Sequence, residues 1–244
     1  MNKEFFTVLL ICFVIKGLIS AQITDPKATE VWEPTPRMIT PGQGTAPPSD
    51  AIVLFDGKNT AEWTHEDGSA IKWKLDQGHM TVKPGSGGIF TKRTFSDCQL
   101  HLEWRAPADD KDEGQNRGNS GVFLQNRYEV QVLDSHGGKT YPNGQAGAIY
   151  KQSMPLVNAC RPAGEWQAYD IIFKAPVFNE DGIKVAPAFI TVLHNGVLIQ
   201  NHTEIKGTTE YIGLPKNIAH GKGPIQLQDH SELVSYRNIW IREL

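Results

Sequence analysis

The chain has 244 residues, with 24 Lys and Arg against 27 Asp and Glu and 39% hydrophobic residues. A net charge of -3 without any Lys/Arg-rich block excludes the clustered basic face that nucleic-acid binding needs. With 21% charged residues and 6 Trp, the composition is that of a globular protein, not of a disordered chain or a multispan membrane protein, and its length suits one all-β unit of roughly 200–250 residues.

Met1-Asn2-Lys3 gives a basic start, Phe5 to Ile15 is an apolar run, and Leu18-Ile19-Ser20-Ala21 ends in small residues. The pattern predicts a signal peptide over residues 1–21 and an exported protein, periplasmic or secreted. Lys16 breaks the apolar stretch short of the roughly 20 residues of a spanning helix, so no membrane span is expected after cleavage. Residues 22–49 hold six prolines, Pro26 to Pro48, and predict a Pro-rich leader that Trp32 and Met38 could pin to the domain, which then fills residues 50–244. Cys98 and Cys160 remain in the exported chain. They either pair in a disulfide, as an oxidising compartment permits, or serve as two small buried hydrophobes.

From Ala51 onward, short runs rich in Val, Ile, Phe, Tyr and Trp alternate with Gly, Pro, Asn and Asp clusters. This texture predicts strands at 51–55, 99–104, 121–124, 128–133, 169–174, 189–193, 225–228 and 235–242. Asn195-Gly196 between apolar runs marks a two-residue hairpin turn. No segment after residue 21 keeps a helical period for three turns, so two antiparallel sheets packed face to face are expected. Alternation puts Tyr128, Val130 and Val132 on one face of their strand and Glu129 with Gln131 on the other. Ile225 and Leu227 likewise oppose Gln226, Gln228 and His230. Either these polar rows are ordinary solvated faces, or they form a site.

Several ordered motifs carry a resemblance over Ala51 to Leu244: Leu54-Phe55-Asp56-Gly57-Lys58, Asn119-Ser120-Gly121-Val122-Phe123, Tyr128-Glu129-Val130-Gln131-Val132-Leu133-Asp134-Ser135, Gly164-Glu165-Trp166-Gln167, and Gly223-Pro224-Ile225 leading to Leu227-Gln228-Asp229-His230. Together they resemble the 3-keto-disaccharide hydrolase family. The resemblance implies a concanavalin A-like jelly-roll β-sandwich and an exported carbohydrate-active enzyme that cleaves 3-keto-glycosides. It also implies an upstream sugar 3-dehydrogenase that makes the keto sugar. The acidic loop Asp109 to Glu113 departs from the family pattern.

A ketone at C3 acidifies the C2 proton, so a base can remove it, the enolate can expel the C1 aglycone, and water can then add. Such chemistry needs a base near C2, donors or positive charge near the C3 oxygen, and an acid near the leaving oxygen. His230 and His136 suit acid or base roles. Lys151 or Arg127 could steady the enolate, while Gln131 and Gln228, with Asn119 and Asp134 beside them in sequence, could hold the substrate. Glu129 is the candidate carboxylate, as base, as orienter of an imidazole, or as metal ligand. Gln131 stands where a conventional two-carboxylate glycosidase would carry an acid, and Asp134 would need a bulge to share its face, which disfavours that route. No cofactor is required by the sequence. A divalent metal, calcium or other, could be held by Glu129 and His230, whereas Asp109, Asp110, Asp112 and Glu113 miss the calcium-loop spacing and read as an acidic turn. The other function class is a non-catalytic carbohydrate-binding module using Trp63, Trp73, Trp104 or Trp166 as platforms.

Overall fold

The computed structural model describes residues 23–244; the expected signal peptide at 1–21 lies outside the described residues. The chain divides into two units, Met1–Met38 and Ile39–Leu244. Within the first, the described residues form one 3-10 turn, Pro26–Thr29, whose entry is capped by the Asp25 carboxylate accepting from the Lys27 N–H. Trp32 and Met38 are exposed.

The second unit contains β1 (Ile52–Phe55), β2 (Trp63–Thr64), β3 (Lys74–Asp76), β4 (His79–Thr81), β5 (Ile89–Thr91), β6 (Cys98–Arg105), β7 (Ser120–Leu124) and β8 (Tyr128–Val132). It continues with β9 (Gln167–Lys174), β10 (Val177–Phe178), β11 (Lys184–Ala186), β12 (Ala188–His194), β13 (Val197–Ile205), β14 (Gln226–Leu227) and β15 (Ser235–Glu243). One sheet runs β13-β12-β9-β6-β15-β4-β3 with β1 added on β15, the other runs β2-β5-β14-β7-β8, and β10 with β11 forms a small ribbon. The chain crosses between the two large layers after β1, β2, β4, β5, β6, β8, β13 and β14. All ladders are antiparallel, giving the jelly-roll sandwich.

Local chemistry matches these elements. Asn195 (φ 53°) and Gly196 (φ 80°) take the left-handed conformations that a tight hairpin between β12 and β13 requires. The alternate residues Leu100, Leu102 and Trp104 of β6, Tyr169, Ile171 and Phe173 of β9, and Val122 and Leu124 of β7 meet in one core. Each such aliphatic or Phe side chain contributes about 1.5–3 kcal/mol on burial. Trp63, Trp73 and Trp104 belong to this core, so none is a platform for sugar. Trp166 is half-buried, with the guanidinium groups of Arg105 and Arg237 4.6 Å and 4.1 Å from its ring centre. Tyr169 Oη donates across the core to Gln131 O (2.8 Å), and Tyr236 Oη to Ser120 Oγ (2.6 Å). They fix β7 and β8, the strands that carry the polar row, against the larger sheet.

Residues 39–49 belong to the second unit despite their prolines. The Thr45 carbonyl accepts from Trp240 Nε1 and Asn238 Nδ2, both at 3.0 Å, and Arg242 forks onto the Asp50 carboxylate at 2.9 and 2.8 Å. Composition alone hides these contacts because they are made by the carbonyl and hydroxyl of one threonine and by one aspartate. Beside this strap His101 is buried, 2.7 Å from Asp170 and stacked on Trp240. Cys98 and Cys160 are both free, and burial pushes their thiols up to about 12 and about 11, which makes them unreactive.

Candidate functional site

The strand parity is realised: Tyr128, Val130 and Val132 point into the core, while Glu129 and Gln131 point to the opposite face of β8. There they border a cleft of about 490 Å³. Its floor is Glu129 and Gln131 with Phe123 of β7, one wall is Gln228 and His230 just after β14, and Asn119 closes the end before β7. Six of the nine predicted residues therefore converge: Asn119, Glu129, Gln131, Lys151, Gln228 and His230.

Glu129 is only 4% exposed and forms no ion pair among the described residues. Burial alone pushes its carboxyl up to about 8. The Gln131 amide has two acceptors on one edge, Ser120 O at 3.0 Å and Glu129 Oε1 at 3.1 Å, which places its NH2 group there, donating to both. Gln131 thus orients the carboxyl instead of standing free for a sugar hydroxyl. Gln228 Oε1 is buried and has no protein donor, an acceptor left for whatever fills the cleft.

Lys151 enters from the loop after β8. Its backbone lies in the left-handed region (φ 57°), a conformation that costs a non-glycine residue about 1–2 kcal/mol. The Asn143 carbonyl holds its N–H at 2.8 Å. The ammonium donates to Tyr211 O at 2.6 Å and lies 4.4, 5.5 and 5.8 Å from the ring centres of Tyr211, Tyr150 and Tyr141. Tyr150 and Tyr141 share a 2.7 Å hydroxyl–hydroxyl hydrogen bond, and the Tyr150 phenol is pushed far above its usual range by burial and then by that bond. It stays neutral. These three tyrosines, with Gln115, Asn116 and Thr209, were not among the predicted residues. All six come from segments between strands, where no alternation marks a face; the pair Tyr141 and Tyr150-Lys151 around Pro142-Asn143-Gly144 was the available signal.

Three predicted residues stand elsewhere. Asp134, just past β8, is buried against Arg117 (2.6 Å) and accepts from the His136 N–H. Arg127, in the β7–β8 turn, donates to Gln125 O at 3.0 Å and does not border the cleft. His136 is exposed, with Nδ1 3.2 Å from Cys160 O, because the chain has left the sheet by then. With Asp134 turned away, Glu129 is the only carboxylate bordering the cleft among the described residues. Among the described residues, the one group of three ligating side chains close enough for a metal is Asp110, Asp112 and Glu232, which includes neither Glu129 nor His230. There the Glu232 carboxyl is raised by burial and by its two acidic neighbours.

The sequence pattern of 3-keto-alpha-glucoside-1,2-lyase-like domains matches residues 50–242. The chain belongs to that family. No curated protein matches it significantly. Among solved structures, a candidate glycosyl hydrolase from Parabacteroides distasonis ATCC 8503 is 52% identical, with a TM-score of 0.87 over 90% of this chain and 97% of that one. Two further candidate glycosyl hydrolases of the same organism share the fold at 20% and 24% identity. Their TM-scores are 0.58 and 0.55 over 80% of this chain, and 94% and 99% of theirs. A lyase-like domain is thus joined to a cleft with a single buried carboxylate. Among the described residues, no helix is long and apolar enough to cross a membrane.

Proposed function

We propose that this domain cleaves 3-keto-α-glucosides by elimination between C1 and C2, followed by addition of water. The observation that carries the reading is Glu129: a lone carboxyl on the cleft floor, raised by burial to about 8. A carboxylate tuned toward neutral pH is a stronger base than an exposed one and still ionises in part under working conditions. Glu129 takes the C2 proton, and the C2–H electron pair moves into the enolate at C3. The Lys151 ammonium supplies positive charge for that oxygen. As the C3 carbonyl re-forms, the C1–O bond breaks, C1=C2 forms, and the leaving oxygen takes a proton from His230. Water then adds at C1, so the net reaction is hydrolysis.

Several features support this route over its rivals. Retaining and inverting glycosidases need two carboxyl groups about the scissile bond, and this cleft offers one. A binding module resting on its tryptophans loses three of the four candidate platforms to the core. The family description, a 1,2-lyase acting on a 3-keto-α-glucoside, fits the same chemistry. The protein acts after export and receives its substrate from an enzyme that oxidises the C3 hydroxyl. Incubating it with a 3-keto-α-glucoside in deuterated water tests the reading: aglycone release with deuterium at C2 is expected. Release from the unoxidised glucoside at a comparable rate would overturn it.

A further inference from the structure

The strand register aligns five residues across the outer face of the smaller sheet. Thr64 pairs with Phe90, Phe90 with Gln226, Gln226 with Phe123, and Phe123 with Glu129. Antiparallel partners point to the same side, so this row runs unbroken from the Glu129 cleft over β14 to β5. At its other end lies a second hollow of about 450 Å³, bordered by Phe90, Gln226, Ser86, Gly87, Lys72 and His65. Three strand spacings of about 4.8 Å put Phe90 roughly 14 Å from Glu129.

The cleft is closed on its opposite side. Beyond β8, Ile149 bridges to Val130, the Tyr150 N–H donates to Glu129 O at 3.2 Å, and Lys151 reaches to Tyr211. Across the strands, a substrate seated over Glu129 therefore lengthens over Phe123 and Gln226 toward Phe90. What it meets there is suited to binding and not to chemistry. Phe90 is half-buried and offers an apolar surface, the Gln226 carboxamide stands beside it, and Ser86 Oγ is buried without a partner. One aromatic surface ringed by an amide and a hydroxyl matches a sugar, with its apolar C–H face and its hydroxyl rim. His65 is not free to act as a base: its Nε2 accepts from the Lys72 N–H at 3.0 Å, which leaves Nδ1 to donate to Gly88 O at 3.0 Å.

We infer that the outer face of the five-stranded sheet is one extended saccharide groove, with a second subsite at Phe90 and Gln226 for a sugar unit beyond the bond cleaved. The inference rests on the keto-glucosidase reading of the Glu129 cleft and extends it to oligosaccharide substrates. Comparing 3-keto-glucosides with a methyl aglycone and with a glucosyl-glucose aglycone tests it. The wild-type protein is expected to favour the longer substrate in kcat/KM by about tenfold, the worth of one good aromatic contact. Phe90→Ala and Gln226→Ala should each erase most of that ratio, chiefly through KM. A ratio near one in the wild type, or one unchanged in both variants, would overturn the subsite. Calorimetric binding of unoxidised 1,2-, 1,4- and 1,6-linked α-glucotrioses separates this from failure of the mechanism. Binding weakened by Phe90→Ala but kept by Glu129→Gln upholds the subsite even if no keto-glycoside turns over, whereas no binding of any of the three overturns it.

Discussion

The carboxyl of Glu129 lies over the bare backbone of Gly121: a methyl carbon on Gly121 would stand 2.5 Å from Glu129 Oε1 and 2.8 Å from the Phe123 ring. Glycine at 121 is thus what lets a carboxyl settle onto the sheet within reach of Gln131. Gly121→Ala should displace Glu129 while the β7–β8 ladder holds, at a stability cost of about 1–3 kcal/mol. Turnover of a 3-keto-glucoside should fall by about 10²-fold or more, as expected for a misplaced catalytic group. Near-normal kcat in a folded Gly121→Ala protein would contradict this geometry.

Glu129→Gln keeps the shape and removes the base, so kcat should drop by about 10²–10⁴-fold. In the wild type the rate should climb with pH and level off above about 8, where the carboxyl is ionised. Stability moves the other way. A carboxyl raised from 4.5 to about 8 binds its proton more tightly when folded, so its contribution is full below 4.5 and is lost as pH rises through about 8. Melting curves should show Glu129→Gln gaining on the wild type across that window and no further above it. A pH-independent difference would place the raised carboxyl elsewhere.

What the sequence made legible follows from periodicity. The two-residue repeat of β8 separated Glu129 and Gln131 from Tyr128, Val130 and Val132, and the same logic set Gln228 and His230 apart from Leu227, because a half-buried sheet has a strict inside and outside. The wall of the cleft escaped that logic. Tyr141 and Tyr150 come from the strandless stretch between β8 and β9, and Tyr211 from the one between β13 and β14, placed by turns and by Lys151. Alternation also could not tell which tryptophans faced the core. Nor could it see that Asp134 would find Arg117 across 17 residues of chain.

That pairing makes Asp134 a structural acid. Its carboxylate is 2% exposed and is matched by the Arg117 guanidinium at 2.6 Å. Arg117→Met would leave a buried charge without its cation and should cost about 3–5 kcal/mol. Asp134→Asn should also lower the melting temperature, yet leave kcat of the folded protein near the wild-type value. A loss of kcat in Asp134→Asn comparable to that of Glu129→Gln would instead restore a two-carboxylate site.

The opposite face of the sandwich holds a second titrating centre with a different signature. Burial of His101 opposes its charge, but its hydrogen bond to the Asp170 carboxylate (2.7 Å) and the nearby Glu103 carboxylate (3.9 Å) outweigh it and hold the imidazole at about 9. Arg237 in turn pairs with Glu103 at 2.6 Å. Folding thus raises the pKa from 6.5, so the stabilisation is fully present below 6.5 and is lost as pH rises through about 9. Asp170→Asn removes the main partner and should destabilise the protein at pH 6 by about 1.5–3 kcal/mol, the worth of a hydrogen bond to a charged group. The gap from the wild type should close above about 9, where His101 is neutral in both. Denaturant titrations at pH 6, 8 and 10 measure it, and a gap of constant size would show that Asp170 does not hold a proton on His101.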